Sequence, residues 1–204
     1  MIGQITPLFY NKLMITCILL SAGISERFGQ PKALARIFNK TVIEHIQNEL
    51  LLSTCDEIIV VLGASYHQIL PSIFIHSRIK VVYNKDYNFG QTSSLQVGVQ
   101  VVQKSSTGVM ILPVDCPLIK YTTINTLIDH FNKNDPDILI PTYQNKKGHP
   151  PIFHQRLNDE ILALPLNLGL NSLFVKHPPL TLEVKDSGII KSFNTPEEFE
   201  RMKS

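Results

Sequence analysis

Short apolar runs alternate with segments of helical period along most of this chain, and that alternation leaves few folds open. Residues 14–20, 58–62, 80–83, 109–112 and 137–140 read as strands, each bounded by turn residues or charges. Between them, Val42, Ile43, Ile46 and Leu50 fall on one helical face, Leu95, Val99 and Val102 on another, and Ile124, Leu127, Ile128 and Phe131 on a third. Thr41 with Glu44 three residues on predicts a capping box. Strands spaced by helices require parallel βαβ units with right-handed crossovers. Strands this continuously apolar predict a mostly parallel sheet covered on both faces.

After residue 140 the alternation weakens. Residues 141–153 carry Gly148, His149, Pro150 and Pro151 and read as a turn-rich insertion or hairpin. Short helices are predicted over 158–164 and 169–176 and a last strand over 181–184. A terminal helix over 196–203 has Thr195 as N-cap and Pro196 at its first position. Residues 1–13 read as an N-terminal extension and 14–204 as one domain, without repeat or linker. The apolar stretch 13–22 mimics a signal-peptide core, but only Lys12 stands before it and it falls far short of the roughly 20 residues of a membrane span; a buried strand is the better reading.

Charge narrows the partners. With 19 Lys and Arg against 17 acids, the net charge of +2 supports neither nucleic-acid nor membrane binding, while a locally basic pocket stays open. Cys17, Cys55 and Cys116 have neither disulfide nor zinc spacing, which predicts a reducing, cytoplasmic setting.

The first strand runs into Ser21-Ala22-Gly23-Ile24-Ser25-Glu26-Arg27-Phe28-Gly29-Gln30-Pro31-Lys32. Ligands of open α/β sheets bind beyond the carboxyl ends of strands, where this loop lies. Gly23 and Gly29 let backbone N–H groups converge on an anion, and Arg27 and Lys32 add two charges. One such charge at ~4 Å from a phosphate contributes about 4 kcal/mol of Coulomb attraction at an effective dielectric near 20, before desolvation. The spacing fits neither Walker A nor the dinucleotide fingerprint. At the end of the fourth strand, Asp115 in Leu112-Pro113-Val114-Asp115-Cys116-Pro117 can ligate Mg²⁺ against phosphate oxygens. Cys116 has no basic neighbour and reads as a buried small residue. The amides and hydroxyls of residues 83–94 suit a nucleoside, or else a turn and N-cap.

Together, Gly23-x-Ser25-x-Arg27-x-Gly29-x-x-Lys32, Pro113-Val114-Asp115-x-Pro117, Asn84 through Gly90 and Ser94, Gly148-His149-Pro150 and Asn194-Thr195-Pro196-Glu197-Glu198-Phe199 resemble the MobA-like nucleotidyltransferases, in the family order. The likeness spans residues 14–202 and lies nearest the molybdenum cofactor cytidylyltransferase branch. It implies a three-layer α/β/α, Rossmann-like fold of GT-A type. It also implies transfer of CMP from CTP to the phosphate of a molybdopterin-type acceptor, with release of pyrophosphate. Carried over, Ser21, Ala22, Gly23, Ser25, Gly29, Asn84, Gly90 and Ser94 bind nucleotide. Arg27 and Lys32 neutralise the phosphates, Asp115 and Asn194 hold Mg²⁺, and His149 lies near the acceptor; a homodimer is the assembly considered. This sequence departs from the branch where Ser21-Ala22 replaces two alanines, where Asn39-Lys40 replaces a glycine turn, and where Ser192-Phe193-Asn194 replaces Asp-x-Asp. The last change leaves one carboxylate. A sugar or polyol phosphate as acceptor, or a silent nucleotide-binding protein, are the competing readings.

Overall fold

The computed structural model describes residues 13–203. In chain order its strands are β1 (Met14–Ser21), β2 (Arg36–Ile37), β3 (Lys40–Thr41), β4 (Glu57–Leu62), β5 (Ile79–Tyr83), β6 (Ser106–Pro113), β7 (Ile138–Tyr143), β8 (Lys146–Lys147), β9 (Ile152–His154) and β10 (Leu180–Glu183). The helices are α1 (Val42–Leu52), α2 (Tyr66–Ile69), α3 (Gln91–Gln100), α4 (Tyr121–Asn134), α5 (Asn158–Leu162) and α6 (Pro196–Lys203). The main sheet runs β10-β7-β9-β6-β1-β4-β5, with β8 paired to β7. Every pairing among β1, β4, β5 and β6 is parallel, as is β7 with β10, whereas β9 runs antiparallel to both β6 and β7.

The period-2 geometry of β1 divides the core. Ile15, Cys17 and Leu19 pack on one face with residues of α1, α4 and α6, while Ile18 and Leu20 pack on the other with Leu95 and Val99 of α3 and Ile161 of α5. That is the three-layer α/β/α arrangement implied by the resemblance. On the second face α3 lies so close that a Cβ on Gly98 would stand 2.7 Å from Ile18 Cγ2. The stretch that mimicked a signal core is β1, buried along nearly its whole length.

The capping box of α1 forms: Thr41 Oγ1 accepts from Glu44 N at 3.3 Å, and Glu44 Oε2 accepts from Thr41 N at 2.7 Å. The predicted insertion resolves into the β7–β8 hairpin and the three residues of β9. The expected helix over 169–176 is a 3₁₀ segment, Leu170–Val175, and the last strand starts one residue early. The expected extension lies outside the described residues except for residue 13. Among the described residues no helix is long and apolar enough to cross a membrane.

Candidate active site

The loop after β1 turns over a short 3₁₀ helix, Glu26–Phe28. Ser25 enters it with φ of 61° and Gly29 leaves it with φ of 75°. A left-handed angle costs an L-residue about 1 kcal/mol, which glycine avoids at position 29 and Ser25 does not. Ser25 Oγ in turn accepts from Lys32 N at 3.3 Å, tying both ends of the turn together. Gly23 serves without the special backbone angle expected of it. Its φ is not left-handed, and a Cβ there would have no atom within 4 Å. Its value is open space for a ligand. Among the described residues the amides of Gly23 and Ile24 have no protein acceptor, so they can donate to an anion.

Phe28, on the same turn, anchors the loop to the C-terminal segment. Its ring lies 5.1 Å from Phe193 and 5.6 Å from Phe199, centroid to centroid. Asn194 follows Phe193, and the chain is fixed there by Glu198. That carboxylate accepts from Asn194 N at 2.6 Å and Thr195 N at 3.3 Å, while Thr195 Oγ1 accepts from Glu198 N, a second capping box. Phe193 N also donates to Asp115 O at 3.2 Å, so the segment is tied to the turn after β6.

These ties bring four expected residues into contact. Lys32 Nζ lies 3.1 Å from Asp115 Oδ2 and 2.9 Å from Asn194 Oδ1, and Arg27 Nη2 donates to the same Asn194 oxygen at 3.1 Å. Their wall is a cleft of about 710 Å³ at the carboxyl ends of β1 and β6. Ser21, Ala22, Gly23, Ser25, Gly90, Ser94 and His149 line it too. Glu26 lines the cleft as well, so its cations and carboxylates balance in number. Among the described residues Arg27 meets only an amide oxygen, which leaves its charge available to a polyanion.

Asn84 and Gly29 are placed behind this wall. Asn84 is buried, donating to Ser93 Oγ and Ser94 Oγ at 3.0 Å and accepting from Asp86 N at 2.9 Å. It braces the turn that presents Gly90, whose φ is 94°. His149 stands in the cleft with its N donating to Ile189 O at 2.8 Å and a buried Nδ1 that has no hydrogen-bond partner among the described residues. Burial lowers its pKa, against the opposing pull of Asp115, so the ring is a neutral group at pH 7. Cys116 is buried, and burial followed by the Asp115 charge pushes its thiol well up, so it supplies no thiolate. Ile24 and Glu26, not singled out from the sequence, also line the cleft, as do Asn88 and Gln91, which the sequence marks only as members of the 83–94 stretch. Only their position beside the named motifs could have marked them.

The donor set suits a divalent cation. Asp115 and Asn194 offer hard oxygens, and both already converge on one cation, the Lys32 ammonium. No cluster of three or more His, Cys, Asp or Glu side chains with metal-binding geometry occurs among the described residues. A cation here therefore depends on substrate phosphates and water for its remaining ligands, as Mg²⁺ commonly does.

The sequence matches the MobA-like NTP transferase domain over residues 17–180. The chain belongs to this family. It is a nucleotidyltransferase, and its fold matches that of its relatives. A molybdenum cofactor cytidylyltransferase of Escherichia coli (strain K12) is 24% identical over 186 residues, covering 91% of this chain and 93% of that protein. A nicotine blue oxidoreductase of Paenarthrobacter nicotinovorans is 23% identical over 184 residues, covering 84% and 86%. Among solved structures, Rv0371c of Mycobacterium tuberculosis H37Rv superposes with a TM-score of 0.82 at 24% identity, covering 94% of this MobA-like chain and 98% of that one. The same protein has also been solved in complex with manganese.

Proposed function

We propose that this nucleotidyltransferase moves CMP from CTP to the phosphate of a molybdopterin-type acceptor. The observation that carries the reading is the contact of Lys32, Arg27, Asp115 and Asn194 at one end of the cleft. The likeness to the Escherichia coli molybdenum cofactor cytidylyltransferase supports the choice of acceptor and base.

The triphosphate lies against the loop after β1, where the free amides of Gly23 and Ile24 and the Arg27 guanidinium take its oxygens. Ser21, Ala22, Ser25, Gly90 and Ser94 shape the space for the nucleoside, with Asn84 and Gly29 holding the two turns from behind. Lys32 places its ammonium beside the α-phosphate. Asp115 and Asn194 would hold Mg²⁺, which when bound neutralises phosphate oxygens. His149, neutral, lines the cleft on the acceptor side. An oxygen of the acceptor phosphate attacks the α-phosphorus, the bond to the β-phosphate oxygen breaks, and pyrophosphate leaves with that electron pair. A phosphate monoester is largely dianionic at pH 7, so the attack needs no general base. Positioning and charge neutralisation suffice.

Incubation of the protein and Mg²⁺ with CTP, GTP or ATP and molybdopterin tests the proposal through pyrophosphate release and the mass of the product. Release with CTP alone among the triphosphates, and a cytosine dinucleotide of the pterin, are expected. Turnover only with sugar or polyol phosphates would move the acceptor class. Tight CTP binding without turnover on any acceptor would leave a silent binding protein, the reading that the lost second carboxylate at Asn194 favours.

A further inference from the structure

The two protein oxygens best suited to a divalent ion are already engaged by a side chain. Lys32 Nζ stands 3.1 Å from Asp115 Oδ2 and 2.9 Å from Asn194 Oδ1, with the Phe193 ring 5.5 Å away on a third side. The lysine side chain is 13% exposed, so the ammonium is seated rather than free in the cleft. Arg27 meets only one of the two oxygens and leaves Asp115 untouched. An ammonium and a metal ion cannot share one pair of oxygens, since like charges at that separation repel strongly in a partly dehydrated pocket.

We infer that Lys32 is a placeholder for the divalent cation: in the nucleotide-free protein its ammonium fills the position between Asp115 and Asn194, and it yields that position only when a triphosphate supplies other anionic partners for it. The inference rests on the nucleotidyltransferase reading and adds an order to it. With one carboxylate and an occupied seat, the protein binds divalent ion poorly by itself. The ion enters with the nucleotide, and the departing ammonium is delivered to the phosphates in the same exchange. Metal and nucleotide affinities are then positively coupled, each raising the other by the same factor.

Loss of the free Mn²⁺ EPR signal on titration reads metal binding directly, without turnover. Wild type and the variants Lys32→Met, Lys32→Gln and Arg27→Met are titrated with Mn²⁺ alone and then with saturating CTP, with circular dichroism confirming the fold of each. Both Lys32 variants are expected to bind Mn²⁺ alone at least ~10-fold more tightly than wild type. Arg27→Met, which removes an equal charge from the neighbourhood, is expected to change it far less. Adding Asp115→Asn to Lys32→Met should abolish the gain, and CTP should strengthen Mn²⁺ binding more in wild type than in either Lys32 variant. Equal gains in the Arg27 and Lys32 variants, or no gain in the latter, would overturn the placeholder, and joint Mn²⁺ and CTP binding by wild type would leave the nucleotidyltransferase reading intact. Absence of CTP binding with any metal would instead strike at that reading, while the metal-only titration still decides the role of Lys32.

Discussion

At the carboxyl ends of β1 and β6, Lys32 pairs with one carboxylate and Arg27, among the described residues, meets only an amide oxygen. At the opposite end of the sheet, Asp135, Asp137 and Glu160 meet Arg156, Lys176, His154 and His177. There each acid has at least two basic partners: Asp137 takes Arg156 Nε at 2.5 Å and His177 Nδ1 at 2.8 Å, Asp135 takes Arg156 Nη1 and His154 Nε2, and Glu160 takes Lys176 and His177 Nε2. The rear cluster is the larger, yet its charges are spent on one another. The front cluster leaves the Arg27 charge without a carboxylate partner among the described residues, beside an open cleft. The difference teaches that unmatched charge, rather than charge density, marks the place where a ligand belongs.

The contrast can be broken by substitution. Lys32→Ala and Asp115→Ala are expected to lower pyrophosphate release by roughly 10³-fold, the scale on which removal of a charge-stabilising group acts. His177→Ala should leave release unchanged. Comparable losses at both ends, measured in one assay, would erase the distinction. Arg27→Ala removes a contact made to one amide oxygen only; about a tenfold rise in KM for CTP, with kcat little altered, is the expected result of steady-state kinetics. Asn194→Asp restores a second carboxylate, so half-maximal turnover should need several-fold less Mg²⁺, read from a metal titration at fixed CTP.

The smallest effect lies at the rear. The hydrogen bond to Asp137, aided by Glu160, holds the His177 pKa above its ordinary value. The raised pKa means that protonation favours the folded state, so this stabilisation is complete below the unfolded value of about 6.5 and is lost as pH rises through the folded one. The Tm difference between wild type and His177→Phe should therefore shrink steadily as pH is raised from about 6 upward, and a constant difference would show that the ring acts by packing alone.

Much of this was legible because it is local. The α1 capping box needs only Thr41 and Glu44, and β1 announces itself by apolar continuity. Lys32, Asp115 and Asn194 could be named as separate motifs, but their contact depends on the Phe28–Phe193–Phe199 cluster, which no sequence window contains. The strands of the β2–β3 hairpin are two residues each, too short for a period to register, and its left-handed turn residues are Phe38 and Asn39, one position before the Asn39-Lys40 turn that the resemblance gives. The resemblance carries Asn84 over as a nucleotide-binding residue, and no sequence signal shows that its three hydrogen bonds all point into the protein. β9 is three residues long, too short for any periodicity to register.

That short strand has a large geometric effect. Residues that follow a parallel strand emerge over the cleft, while residues that precede one emerge at the far side. Because β9 points the other way, the segment leading into it arrives on the cleft side, where Pro151 O accepts from Ile111 N at 3.0 Å and His149 comes to share a wall with Asp115. Reversing a single three-residue strand thus hands one wall of the pocket to a stretch of chain whose sequence position would otherwise have carried it to the opposite pole of the molecule.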